Sequence, residues 1–239
     1  MHFPFKRLLS FSGFGVVLAL AFGVALTDIP AHSAGTTYGT AVPAPQVHLL
    51  LPSGQNSAQV VLAGGCFWGM ELVFSHVKGV TNVVSGYGGG DRAHANYADS
   101  SSGRYGDAEA IRITYNPARI SYGELLKIYF SVAHDPTELN RQGPDSGPQY
   151  RSEIFAATAD QARVARAYIK QIDAAQVFAK PIVTKVSVGE SFFPAEAYHQ
   201  NYAIRNPDSL YIRWNDLPKL HALEHRYPHR YTAHYADGA

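Results

Sequence analysis

An α/β sandwich with a mixed β-sheet is the fold class this chain predicts, and three observations predict it. Apolar residues make up 46% of the 239 residues and aromatics 12%, enough for a sizeable core in one domain with extensions. Short stretches with two-residue apolar alternation interleave with stretches whose apolar residues recur every three to four positions. Strands therefore alternate with helices, which is the pattern of an α/β layer structure.

Residues 1–34 carry Lys6 and Arg7, an apolar run from about Phe11 to Leu26, and Ala31-His32-Ser33 as an A-x-S type cleavage site. That layout predicts a secretory signal, with an uncleaved membrane anchor as the alternative, and an exported, periplasmic protein. Residues 35–56 are rich in Gly, Pro, Ser and Thr and predict a flexible linker. The folded domain is expected over 57–215, and 216–239 form a tail rich in His and Tyr without a clear period.

Residues 58–63, AQVVLA, read as a buried strand. After Gly64-Gly65 the stretch CFWGMELVFSHVKGV places Met70, Phe74 and Val77 at helical spacing. Cys66 then stands at a helix start, where free backbone N–H groups and the helix dipole favour a thiolate. TNVVSGYGGG at 81–90 reads as a strand entering a glycine turn, and EAIRITYNP at 109–117 alternates Ile111, Ile113 and Tyr115. Ser121 and Glu124 form a capping-box pair before LLKIYFSVAH. A helix follows over 160–178 with Asp160 as its cap, then a strand at 181–189.

Two polar stretches fall outside these elements. Residues 134–155, HDPTELNRQGPDSGPQYRSEIF, are a long nonperiodic loop of the kind that walls a site. Residues 96–110 place Tyr97 and Glu109 on either side of a polar loop, Glu109 at the mouth of the Ile-rich strand. A carboxyl there has a raised pKa if it faces a pocket, which suits a general acid.

The net charge of +1 and only 16% charged residues argue against nucleic acid or an acidic polymer as partner. Cys66 is the single cysteine, so the chain has no internal disulfide and the thiol is either inert or reactive. Phe67 and Trp68 follow it directly and are costly to leave in water unless something apolar meets them.

GCFWG at 65–69, GYGGG at 86–90, YNP at 115–117, HDPT at 134–137, NRQG at 140–143, QYRS at 149–152 and AEAYHQNY at 195–202 resemble, in that order, the A-type peptide-methionine sulfoxide reductases. The resemblance spans about residues 58–205, and makes 57–215 the catalytic domain. It implies a two-layer α/β sandwich, a mixed sheet flanked by helices on a ferredoxin-like core. It also implies thiol-dependent reduction of the S epimer of methionine sulfoxide, free or in proteins, and repair of oxidised proteins. By the same resemblance Cys66 is the nucleophile that becomes a sulfenic acid. Phe67 and Trp68 hold the substrate methyl group, Glu109 protonates the sulfoxide oxygen, and Tyr97 and Tyr150 bind that oxygen. Asp145 is a supporting loop carboxylate, and His199 and Tyr202 belong to a surrounding motif. No metal or organic cofactor is implied, and a monomer is expected.

Two departures stand out. Many relatives carry further cysteines that resolve the sulfenic acid; here an outside thiol is required, from a thioredoxin-like or glutaredoxin-like protein or a small dithiol. Tyr105-Gly106-Asp107 stands before Ala108-Glu109 where many relatives have Thr-Gly-His, which bears on what orients Glu109. The rival chemistry is a cysteine hydrolase or acyl transferase with His134 or His199 as base. A third reading is a binding module for methionine-containing peptides. His221, His225, His229 and His234 in the tail read as solvated rather than metal-binding.

Overall fold

Six strands form one sheet in the computed structural model, which describes residues 38–236. In chain order the elements are β1 (Ala58–Gly64), α1 (Phe67–Ser75), β2 (Val80–Gly88), α2 (Tyr97–Ser101), β3 (Ala108–Tyr115) and α3 (Tyr122–Ile128). The small hairpin strands β4 (Arg141–Gln142) and β5 (Asp145–Ser146) follow, then β6 (Ser152–Ala156), α4 (Ala159–Ala174) and β7 (Lys185–Val188). β8 (Phe192–Pro194), α5 (Tyr202–Arg205) and α6 (Leu217–Arg226) complete the series. The sheet order is β7-β6-β1-β3-β2-β8, antiparallel throughout except for the parallel β6–β7 pair. Its middle four strands, β6-β1-β3-β2, have α1 joining β1 to β2 and α3 lying between β3 and β6 in sequence. That is the split βαβ arrangement of a ferredoxin-like core.

Strand parity decides what each face carries. On β1, Val60 and Leu62 join the main core with Met70 and Phe74 of α1, Leu125 and Leu126 of α3, and Ala165 and Tyr168 of α4. Ala63 instead meets Ala108, Ala110 and Phe155 in a small cluster on the opposite face. On β3, Ile111, Ile113 and Tyr115 lie in the main core. Glu109 shares their parity, so the register carries a carboxyl to the helix face, beside the start of α1.

Several expectations change. The signal read at 1–34, and positions 35–37 of the linker, lie outside the described residues. The rest of the segment read as a flexible linker, 38–56, is a strap laid on the domain. Val42 is buried, and Val47, Leu49 and Leu51 pack against the main core. The hydroxyl of Tyr168 donates to the carbonyl of Pro43 at 2.7 Å, and Gln171 brackets the strap through Ala44 (2.7 Å) and Gln46 (3.0 Å). Proline carries no N–H, so such a segment shows no helix or strand pattern yet still offers carbonyls to side chains.

The tail is likewise built in. A π-helical turn, Ile212–Asp216, leads into α6, which has Pro218 in its first turn and fully buried Leu223. Tyr227 is buried and shares a 2.9 Å hydrogen bond with Ser131. Its helical period is obscured because a core-facing position holds Lys219 rather than an apolar residue. β6 lies inside the stretch read as loop, with Glu153 on a buried strand beside Arg151 at 2.5 Å. β8 was not foreseen, β7 is confined to Lys185–Val188, and the cap of α4 is Thr158 rather than Asp160.

Replacing Tyr168 by Phe removes the hydroxyl that holds the strap at Pro43. We expect a loss of roughly 1 kcal/mol in unfolding free energy by urea titration, the usual net worth of such a bond. No change would mean that the strap contributes nothing to stability through this contact.

Candidate active site

Cys66 is the N-cap of α1, reached through a turn that only glycine fits. Gly65 has φ +88°, and a Cβ there would lie 2.6 Å from Cβ of Gln142. Gln142 is itself fixed by Asp135, whose N–H donates to Oε1 at 3.0 Å while Nε2 donates to its carbonyl at 2.6 Å. The polar 134–143 stretch thus braces the turn that carries the thiol.

The expectation of a thiolate at this helix start is corrected. Burial pushes the Cys66 thiol well above its ordinary value, and the nearby Glu109 and Asp216 raise it further. The N–H of Trp68 and the ammonium of Lys219 oppose them without prevailing. The helix start does donate to the sulfur, but a thiol on a residue only 8% exposed loses more hydration than one N–H restores.

Glu109 accepts a hydrogen bond from the backbone N–H of Phe67 at 3.0 Å, which ties β3 to the first residue of α1. Burial pushes its carboxyl up to about 8, with the Phe67 N–H pulling the other way. It is a neutral acid at pH 7, as its place at the strand mouth suggested. Burial, and next Glu109, also raise the phenols of Tyr97 and Tyr150, so both remain O–H donors.

These groups meet in one cavity of about 180 Å³, lined by Cys66, Phe67, Trp68, Tyr97, Glu109, Asp145, Tyr150 and Tyr211. Larger clefts lie elsewhere, one of about 390 Å³ between Ile172 and Pro181, but without a thiol. The chemistry locates the site, not the volume. Seven of the nine residues singled out from the sequence line the cavity.

The other two, His199 and Tyr202, act on the aromatic wall. Trp68 donates from its indole nitrogen to Nδ1 of His199 at 3.1 Å, and Tyr202 stacks on the indole at 3.8 Å. His199 has its pKa lowered by burial and stays neutral, with its Nε2 3.9 Å from Glu196. His134 is committed too, with Nδ1 at 3.0 Å from the Tyr129 carbonyl and Nε2 at 2.7 Å from the Ser152 hydroxyl. Burial pulls its pKa down to about 4. The hydrolase reading needs a free imidazole at the thiol, and neither ring supplies one.

The Tyr105-Gly106-Asp107 departure has a structural reading. Arg151 donates to the carbonyls of Gly106 at 3.0 Å and Asp107 at 3.2 Å, holding the backbone just before Glu109. Asp107 turns its carboxyl inward against Gly90, and burial raises it to about 6.

Three residues escaped the sequence reading. Tyr211 lines the cavity, hydrogen-bonds Asp145 through its hydroxyl, and presents its ring edge-on to Trp68 at 5.9 Å. Asp216 and Lys219 are buried against Gly69 in the first turn of α1. No motif marked any of them. The available signal was an aspartate and a lysine three apart at the start of a helix with apolar neighbours.

Residues 58–231 match the family model described as peptide methionine sulfoxide reductase. A peptide methionine sulfoxide reductase of Mesorhizobium japonicum is 51% identical over 176 residues, covering 74% of this chain and 90% of that protein. One from Synechocystis is 48% identical over 198 residues, covering 82% of this chain and 92% of that protein. Among solved structures, the methionine sulfoxide reductase A of Corynebacterium diphtheriae superposes with a TM-score of 0.54 at 30% identity. It covers 70% of this chain and 84% of that one. Reduced Mxr1 of Saccharomyces cerevisiae gives 0.58 at 29% identity, covering 69% and 92%.

The raised carboxyl of Glu109 has a consequence for stability. It stays protonated up to about 8 when folded but ionises near its ordinary 4.5 when unfolded, so folding takes up a proton between those values. The stability it contributes is present below that window and is lost as pH rises through about 8. Unfolding free energies of the wild type and Glu109→Gln, measured from about pH 5 to 9, should therefore diverge, the wild type losing ground as pH rises. Parallel curves would show that the folded carboxyl is already ionised.

Proposed function

The chain belongs to the peptide methionine sulfoxide reductase family and is an oxidoreductase that reduces methionine sulfoxide at the expense of thiols; from that premise we propose the roles of its residues. Cys66 is the nucleophile. Phe67 and Trp68 receive the methyl group beside the sulfoxide sulfur, an apolar surface that water leaves readily. Glu109 gives its proton to the sulfoxide oxygen, with Tyr97 and Tyr150 as hydroxyl donors to the same oxygen. Asp145, held by Tyr211, supports the rim.

The sulfoxide oxygen leaves poorly until it is protonated, so a thiolate alone would stall. Attack of the Cys66 sulfur on the sulfoxide sulfur, with proton transfer from Glu109, ends with the oxygen on Cys66 as a sulfenic acid. The sulfoxide sulfur gains two electrons and the cysteine sulfur loses two. The proton displaced from the thiol restores Glu109.

The observation that carries this reading is the convergence, in one small cavity, of the chain's single thiol, a carboxyl kept neutral at pH 7, two phenols and an aromatic wall.

With no second cysteine, the sulfenic acid is resolved by an external thiol, which releases water and leaves a mixed disulfide; a second thiol frees Cys66. A thioredoxin-like or glutaredoxin-like protein, or a small dithiol, has the required pair. We place this chemistry outside the cytoplasm on the strength of the signal-like residues 1–34, acting as a monomer on the S epimer, free or in proteins.

Cys66→Ser should abolish reduction of methionine S-sulfoxide with dithiothreitol while leaving the circular dichroism unchanged. Glu109→Gln should slow the single-turnover rate by roughly 10²-fold or more, the usual scale for a positioned acid. Tyr97→Phe or Tyr150→Phe alone should cost less, since each leaves the other hydroxyl. Near-normal turnover by the serine variant would refute the assignment, as would equal consumption of both epimers.

A further inference from the structure

Packed on the first turn of α1, outside the cavity lining, lies an ion pair that the reaction as described does not use. Nζ of Lys219 is 3.2 Å from Oδ1 of Asp216, one helical turn apart at the start of α6. Both side chains are buried, Asp216 completely, which is costly for charges unless they are paired. They press on Gly69, in the first turn of α1. A Cβ there would collide with Oδ1 of Asp216 and lie 2.7 Å from Nζ of Lys219. The ring of Tyr38, from the N-terminal strap, covers the ammonium at 5.5 Å.

We propose that the Asp216–Lys219 pair, packed on the helix turn that Cys66 caps, governs how readily Cys66 gives up its proton, Lys219 neutralising Asp216 and supplying the positive charge near the sulfur. The groups that face the thiol from the other elements are acidic or phenolic: Glu109 from β3, Asp145 from β5, and Tyr97, Tyr150 and Tyr211. Lys219 is the cation among the strongest charge effects on the sulfur, and Asp216 opposes it. Burial alone would lower the Lys219 ammonium, but Asp216, Tyr38 and Cys66 raise it, so it stays charged. Asp135 and Glu138 also act on Tyr38, after Lys219 and Asp216.

Asp216 and Lys219 are positioning residues in this scheme, since neither touches substrate. A thiolate must form beside a carboxyl that has to remain protonated, and an unopposed Asp216 would work against it. The lysine removes that opposition without entering the cavity.

The inference rests on Cys66 being the nucleophile, but its test does not need turnover. Cys66 is the only cysteine, so the pH dependence of iodoacetamide alkylation reads this thiol alone. Asp216→Asn should move the midpoint down and Lys219→Met should move it up, each by roughly one pH unit, the lower end of the effect of a nearby charge. Lys219→Arg should stay near the wild type, and the double variant should fall between the two singles. Opposite shifts cannot come from two variants that merely loosen the fold. Should Lys219→Met fail to fold, the double variant compared with Asp216→Asn isolates the lysine, and its midpoint should be the higher. Shifts in the same direction, no shift in folded variants, or a double variant equal to Asp216→Asn would overturn the proposal. Sulfoxide reduction that survives complete alkylation of Cys66 in the wild type would instead count against the role given to Cys66, whatever the variants show.

Discussion

The hydrogen bond from the Phe67 N–H to the Glu109 carboxyl ties the sheet to the first residue of the helix that carries the thiol, and most of the site depends on it. Strand parity drives Glu109 to the same face as Ile111 and Ile113, which leaves the residue buried at the edge of the cavity. One N–H is too little to ionise a buried carboxyl, and so it stays neutral. That neutrality makes it useful to a leaving oxygen. Burial likewise raises the Cys66 thiol and, from ordinary values already above neutral, the phenols of Tyr97 and Tyr150. Burial therefore reverses the protonation of Glu109 at neutral pH and reinforces that of the other three groups.

The aromatic wall has a comparable support. Trp68 is held from three directions, by the His199 acceptor, the Tyr202 stack and the Tyr211 edge. Tyr211 in turn fixes Asp145 on the hairpin opposite. Residues from α5, the turn before it and the segment before the π-helical turn thus fix one indole of α1. The strap meets α6 where the Tyr38 ring lies over the ammonium of the buried Asp216–Lys219 pair.

Much of this was legible in the sequence because the chemistry is concentrated in short motifs. The lone thiol between glycines, the two aromatics after it and the carboxyl at a strand mouth each carry a physical reason that survives without neighbours. Strands β1 and β3 and helices α1, α3 and α4 were legible for the same reason, since their apolar periods are intact. β6 hid in a polar stretch because its Glu153 is made tolerable only by Arg151, a pairing that periodicity does not reveal. α6 hid because its inward position is a lysine whose partner is an aspartate outside any motif. The strap hid because prolines and glycines erase the period while leaving Val42 free to be buried. The helix start was read correctly as a donor to the sulfur. Its effect on the thiol was misjudged because burial depends on the whole fold, not on the residues beside Cys66.

The most direct test of the account is the state of Cys66 after a single reaction. The protein, fully reduced and then freed of reductant, would be mixed with one equivalent of methionine S-sulfoxide and followed by intact mass and by released methionine. The account predicts a single added oxygen on Cys66 that dimedone captures, and one methionine released per chain. Release of methionine with Cys66 unmodified and the oxygen on another residue would contradict it.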